Sequence, residues 1–161
     1  MIREIIVAHR QWHHSVSVRN GNADCWKVGF ARAISFPFAT SVMTIQSLGE
    51  QAPFTTADGS TIRSILDLTN APVTNQSLAE ATLPPTRATQ RHYHQLAEEL
   101  YFILEGTGMM EINGEVRKVR PGDGVLIPPG AWHQITADAD TTLRFLCCCS
   151  PPYSHDDTYF D

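Results

Sequence analysis

His92 and His94 stand one residue apart in the stretch RHYHQLAEELYFILEG, residues 91–106, and the adjacent carboxylates Glu98 and Glu99 follow them. Imidazole nitrogens and a carboxylate oxygen are donors a divalent metal accepts, provided the backbone turns them toward one point. Residues 95–100 contain the good helix formers Leu, Ala and Glu. The continuous run Tyr101, Phe102, Ile103 and Leu104, closed by Gly106, is instead the signature of a buried strand. On a strand His92 and His94 project from the same face, their β-carbons about 7 Å apart, so both rings can reach one ion. Glu98 and Glu99 then point to opposite faces, and only one of them can join. Glu99 brings Tyr101 and Ile103 with it, whereas Glu98 brings the more apolar set Leu100, Phe102 and Leu104. Periodicity by itself slightly favours Glu98.

The elements that must hold such a site are short strands separated by turn chemistry. Strands are expected over 61–68, 76–83, 89–94, 99–104, 108–112, 115–119, 124–127, 132–136 and 142–149. The breaks carry Pro84-Pro85, Asn113-Gly114, Pro121-Gly122-Asp123-Gly124 and Pro128-Pro129-Gly130. Asn113-Gly114 between two strand runs predicts a hairpin, because both residues tolerate the positive φ of a type I′ turn. Many short strands at regular spacing indicate an all-β barrel or two-sheet sandwich.

The 161 residues suffice for one domain with a substantial core. No run approaches the roughly 18 apolar residues a spanning helix requires. A net charge of −5 and a pI near 5.7 argue against a nucleic-acid partner and for small-molecule ligands. Cys147, Cys148 and Cys149 are consecutive and alternate between faces, so they read as small buried hydrophobes in a reducing, cytoplasmic compartment rather than as a disulfide framework. Residues 1–49 hold Arg3, Arg10, Arg19, Lys27 and Arg32 against Glu4 and Asp24, so the acidic excess lies entirely beyond them. That asymmetry, with no sustained periodicity, marks residues 1–42 as an extension outside the core. A targeting peptide, an arm packed on the outside, and upstream sequence with Met43 as the natural start all fit; the Met43 start ranks first. A secretory signal is disfavoured because the apolar run 5–8 is too short. His9, His13 and His14, in this extension, are expected to be solvated.

HYHQLAEELYFILEG resembles the first motif of the cupin superfamily, G-x5-H-x-H-x3,4-E-x6-G, with six residues between Glu99 and Gly106. GDGVLIPPGAWHQIT resembles the second, G-x5-P-x-G-x2-H-x3-N, with Gly122, Pro128, Gly130 and His133 in register. Thr86 stands where the first motif opens with Gly, and Ala137 where the second closes with Asn; neither is a ligand position. The resemblance, over residues 61–149, implies an all-β double-stranded β-helix (jelly-roll) barrel within residues 43–161, usually a homodimer. It also implies one divalent metal held by His92, His94, Glu99 and His133, and so selects Glu99 over Glu98. Pro128-Pro129-Gly130 makes a rigid corner that delivers His133 to the start of an inward-facing strand.

Three imidazoles and one carboxylate suit Fe, Mn, Ni, Co or Zn and leave two positions of a six-coordinate ion open. Around this set, Tyr101 shares the face of Glu99 and is a candidate proton donor. Gln76 and Glu80 share a face and are candidates to line the cavity, Glu80 as a catalytic carboxylate. Arg63 is a candidate clamp for a substrate carboxylate. The polar tail after Pro151-Pro152 is expected to fray, or else to fold with Tyr153, His155, Asp156 and Asp157 over the barrel mouth, His155 touching substrate. Two functions follow. The first is a small metalloenzyme, most plausibly a dioxygenase, with isomerase, decarboxylase and lyase chemistry as alternatives. The second is a binding module whose metal anchors an acidic or sugar-like ligand.

Overall fold

Along Glu98–Glu105 the side chains alternate between exposed and buried, and along His133–Ala137 between buried and half-buried. Each strand thus buries one face, and two such faces closed on each other make the core. The structure, a computed structural model, describes residues 43–161; the expected extension over 1–42 lies outside the described residues. The strands are β1 (Phe54–Thr55), β2 (Thr61–Leu66), β3 (Ser77–Leu83), β4 (His92–His94), β5 (Glu98–Glu105), β6 (Gly108–Ile112), β7 (Glu115–Val119), β8 (Gly124–Ile127), β9 (His133–Ala137), β10 (Leu143–Ser150) and β11 (Thr158–Phe160).

They form two antiparallel sheets, ordered β1-β2-β3-β10-β5-β8 and β11-β4-β9-β6-β7. Sequence neighbours repeatedly fall in different sheets, as expected of a jelly-roll. Leu83, Ile103, Ile127, Ile135, Leu143 and Phe145 are almost fully buried between the sheets. Burying each such side chain is worth about 1.5–3 kcal/mol.

The β6–β7 hairpin turns as its sequence demands, with Asn113 at φ 50° and Gly114 at φ 88°. Gly106 has φ 76°, and a β-carbon there would fall 2.2 Å from the Thr142 carbonyl oxygen, so the glycine that closes the first motif is sterically required. The chain past Pro151-Pro152 departs from the expected frayed tail. It turns through a short 3-10 segment, His155–Asp157, and β11 pairs with β4 along its whole length, Thr158 opposite His94 and Phe160 opposite His92.

Candidate metal centre

Four side chains from three strands meet at one end of the core. β4 supplies His92 and His94, β9 supplies His133 directly opposite His92, and β5 reaches across from the other sheet with Glu99. One ligand-type atom from each lies within 4.8 Å of all the others, and all four residues are buried. On β5 it is Glu99, Tyr101 and Ile103 that face inward, while Glu98 is exposed. The slight preference of periodicity for Glu98 is therefore overturned: the more apolar set, Leu100 and Phe102, lies on the outer face, 47% and 46% exposed.

The hydrogen bonds behind the rings fix which nitrogen points inward. His92 Nδ1 lies 2.7 Å from the Gln90 carbonyl oxygen and His133 Nδ1 lies 3.0 Å from that of Ala131. A carbonyl only accepts, so both Nδ1 atoms carry the proton and, in the neutral rings, both Nε2 atoms present lone pairs. Thr158 Oγ1 donates to the Ser154 carbonyl and lies 3.2 Å from His94 Nδ1, so it accepts from that nitrogen and sets the same tautomer. His94 Nε2 and His133 Nε2 stand 3.3 and 3.4 Å from Glu99 Oε2. Yet Glu99 Oε2 and His133 Nε2 are buried without any hydrogen-bond partner. Two orphaned donors of electron pairs deep in a core are costly. A divalent cation accepting both removes the cost, and the N/O donor set fits such an ion.

Charge and burial bear on readiness to bind. Burial and the neighbouring His133 push His92 down to about 4, so its ring stays neutral at physiological pH. Burial opposes the charge on His94, but contact with Glu99 outweighs it and raises this ring. Burial likewise opposes ionisation of Glu99, and the His133 and His94 rings overcome it, leaving the carboxylate ionised.

The cluster opens on a cavity of about 540 Å³, the size of a small-molecule site. Tyr101 and His155 line it, and His155 Nδ1 lies 3.1 Å from the Tyr153 hydroxyl. Burial, then the charge of Glu99, hold the Tyr101 phenol well above its ordinary value, so it keeps its proton. The expectation that Gln76, Glu80 and Arg63 belong to this site is corrected. The β3 residues lining the cavity are Ser77, Leu78, Ala79 and Ala81. Glu80, 2% exposed, is held outside it by Arg144 at 2.5 Å and Arg63 at 3.5 Å. A carboxylate so buried needs cationic partners, and both arginines are consumed in supplying them. Gln76 is exposed just before β3.

Sequence reasoning missed two contributors. Cys147 and Cys149 line the cavity, and Cys149 Sγ donates to Glu99 Oε1 at 3.3 Å. Their i, i+2 spacing opposite β5 carried that signal. Asp157 accepts the backbone N–H groups of Leu96 and Ala97, each at 2.9 Å, and so braces the loop between His94 and Glu99.

Comparison with known proteins agrees with this geometry. The family model described as Cupin domain matches residues 79–149. An uncharacterized protein of Methanocaldococcus jannaschii is 44% identical over 106 residues, covering 66% of this chain and 85% of that protein. A 5-nitrosalicylic acid 1,2-dioxygenase of a Bradyrhizobium species is 37% identical over 65 residues, which cover 39% of this chain and 30% of the dioxygenase. Among solved structures, the polyketide cyclase RemF of Streptomyces resistomycificus superposes with a TM-score of 0.61 at 22% identity, covering 72% of this chain and 89% of that one.

Proposed function

Since this chain belongs to the cupin family, we propose that it is a small metalloenzyme of the dioxygenase type, acting on an oxygenated organic substrate chelated to a divalent metal that His92, His94, Glu99 and His133 would hold. The observation that carries the reading is the pair of orphaned buried atoms, Glu99 Oε2 and His133 Nε2, aimed into a cluster that opens on a ligand-sized cavity. When bound there, Fe supplies a site for dioxygen, and Mn, Ni, Co or Zn supplies Lewis-acid polarisation. Tyr101 donates a hydrogen bond or a proton to a substrate oxygen, being buried and kept in its protonated form. His155, oriented by Tyr153, offers a polar contact at the cavity wall. The similarity to a dioxygenase supports the oxidative version, over the part of that protein the match covers.

The working unit in this reading is residues 43–161, within which all strands of the two described sheets lie. Its assembly is a homodimer, supported by the apolar outer face where Leu100 pairs with Leu126 beside Phe102, all about half exposed. A cytoplasmic location is supported by the free thiols of Cys147, Cys148 and Cys149.

The test is dioxygen uptake. Fe(II)-reconstituted protein should consume dioxygen with at least one member of a panel of catechols, β-diketones, diols and hydroxy acids, and His94→Ala should abolish the consumption. Tight binding of a panel member with neither dioxygen uptake nor ligand conversion by the Fe, Mn, Ni or Zn forms would replace the enzyme with a ligand-binding module.

A further inference from the structure

Within that reading of the cluster as a chelating centre, we infer that its ligand is a molecule that enters uncharged, has an apolar body and chelates through two oxygens with at most one negative charge, and that dianionic chelators are turned away. The basis is the sign of the charge around the cavity. Its walls include Ile62, Leu78, Ala81 and Phe145, and its carboxylates are Asp58, Asp67 and Glu99. Among the described residues, no lysine or arginine lines it.

Neither aspartate is free to swing away. Asp58 Oδ1 accepts the Ser60 N–H at 2.9 Å and the Ser60 hydroxyl at 2.7 Å. Asp67 Oδ1 accepts the Thr69 N–H at 2.7 Å and the Asn70 N–H at 3.1 Å. Burial would raise Asp67, but its hydrogen bonds, that from the Thr69 hydroxyl first, hold it below the usual carboxylate range. Arg63, the obvious clamp for an anion, is engaged by Glu80 on the far face of the sheet.

A divalent ion with Glu99 carries one net positive charge. A dianion such as oxalate would invert that charge inside an apolar cavity beside two fixed carboxylates, and no described cation is placed to offset it. A β-diketone or a phenol with a neighbouring carbonyl enters uncharged and, on losing its acidic proton to solvent, brings two oxygens with a single negative charge that leaves the centre neutral, while its hydrocarbon body buries against the apolar walls.

The experiment uses full-length protein loaded with Co(II), whose visible absorption reports on its ligand sphere, with cobalt content fixed first by elemental analysis. Benzoylacetone should bind about tenfold or more tighter than oxalate, the order expected for one uncompensated charge near two carboxylates. Asp58→Asn combined with Asp67→Asn should strengthen oxalate several-fold and benzoylacetone distinctly less, narrowing the ratio between them. Because Asp58 also holds its own turn, Leu68→Lys at the 62% exposed rim is the independent check, and the added cation should favour oxalate. Oxalate bound by the cobalt protein as tightly as benzoylacetone, or binding of neither, would overturn the inference while the metal centre stands. Protein that takes up no cobalt would overturn the centre and the inference together.

Discussion

Thr86 sits at φ 64°, a left-handed backbone conformation that a β-branched side chain adopts only at a cost. It is exposed, and it occupies the position where the first cupin motif has glycine. Thr86→Gly should therefore raise stability, by about 1 kcal/mol, without touching metal content. Thermal unfolding of the two proteins checks it, and a lower melting temperature would mean that the threonine makes compensating contacts. The ligand residues were legible because His92, His94 and His133 fall in register with motifs that fix both spacing and order. The choice between Glu98 and Glu99 was not legible from periodicity. Both faces of β5 are apolar enough to be core, and only the partner sheet decides which is covered. Glu80 misled for a related reason: a carboxylate on a small-residue strand looks like a cavity ligand until its two arginine partners on neighbouring strands are known.

At the level of elements, the hairpin and the strands β6, β7 and β8 have the bounds their turn residues predict, because Asn-Gly and Pro-Gly chemistry acts locally. β11 was invisible for the opposite reason. Three residues after a proline pair carry no periodicity, and the strand exists because β4 offers it an edge. That strand and the turn before it support the centre: Thr158 orients His94, and Asp157 holds the loop that leads to Glu99. Asp157→Ala should leave the sheets intact and weaken metal affinity by about tenfold, the low end of effects from groups that orient ligands. Titration against a competing chelator reads this directly. Unaltered affinity would show that the 95–97 loop keeps its shape without the carboxylate.

For the whole molecule, the charge asymmetry separates residues 1–42 from the part in which the described sheets lie. A protein beginning at Met43 should be soluble, take up metal and melt near the full-length value; insolubility would mean that the removed residues cover apolar surface. The half-exposed Leu100, Phe102 and Leu126 face predicts association of two copies. Sedimentation should find a dimer for the native chain and a monomer for Phe102→Glu, and a monomeric native chain would leave that face without its expected partner.

The proposed function rests on a cluster, His92, His94, Glu99 and His133, that can hold one divalent ion. Elemental analysis of the purified native protein, Glu98→Ala and His133→Ala decides it. The account predicts about one metal ion per chain in the native protein and in Glu98→Ala, and loss of most of it in His133→Ala. Equal loss from both variants, or a native protein that holds no metal after reconstitution, would contradict it.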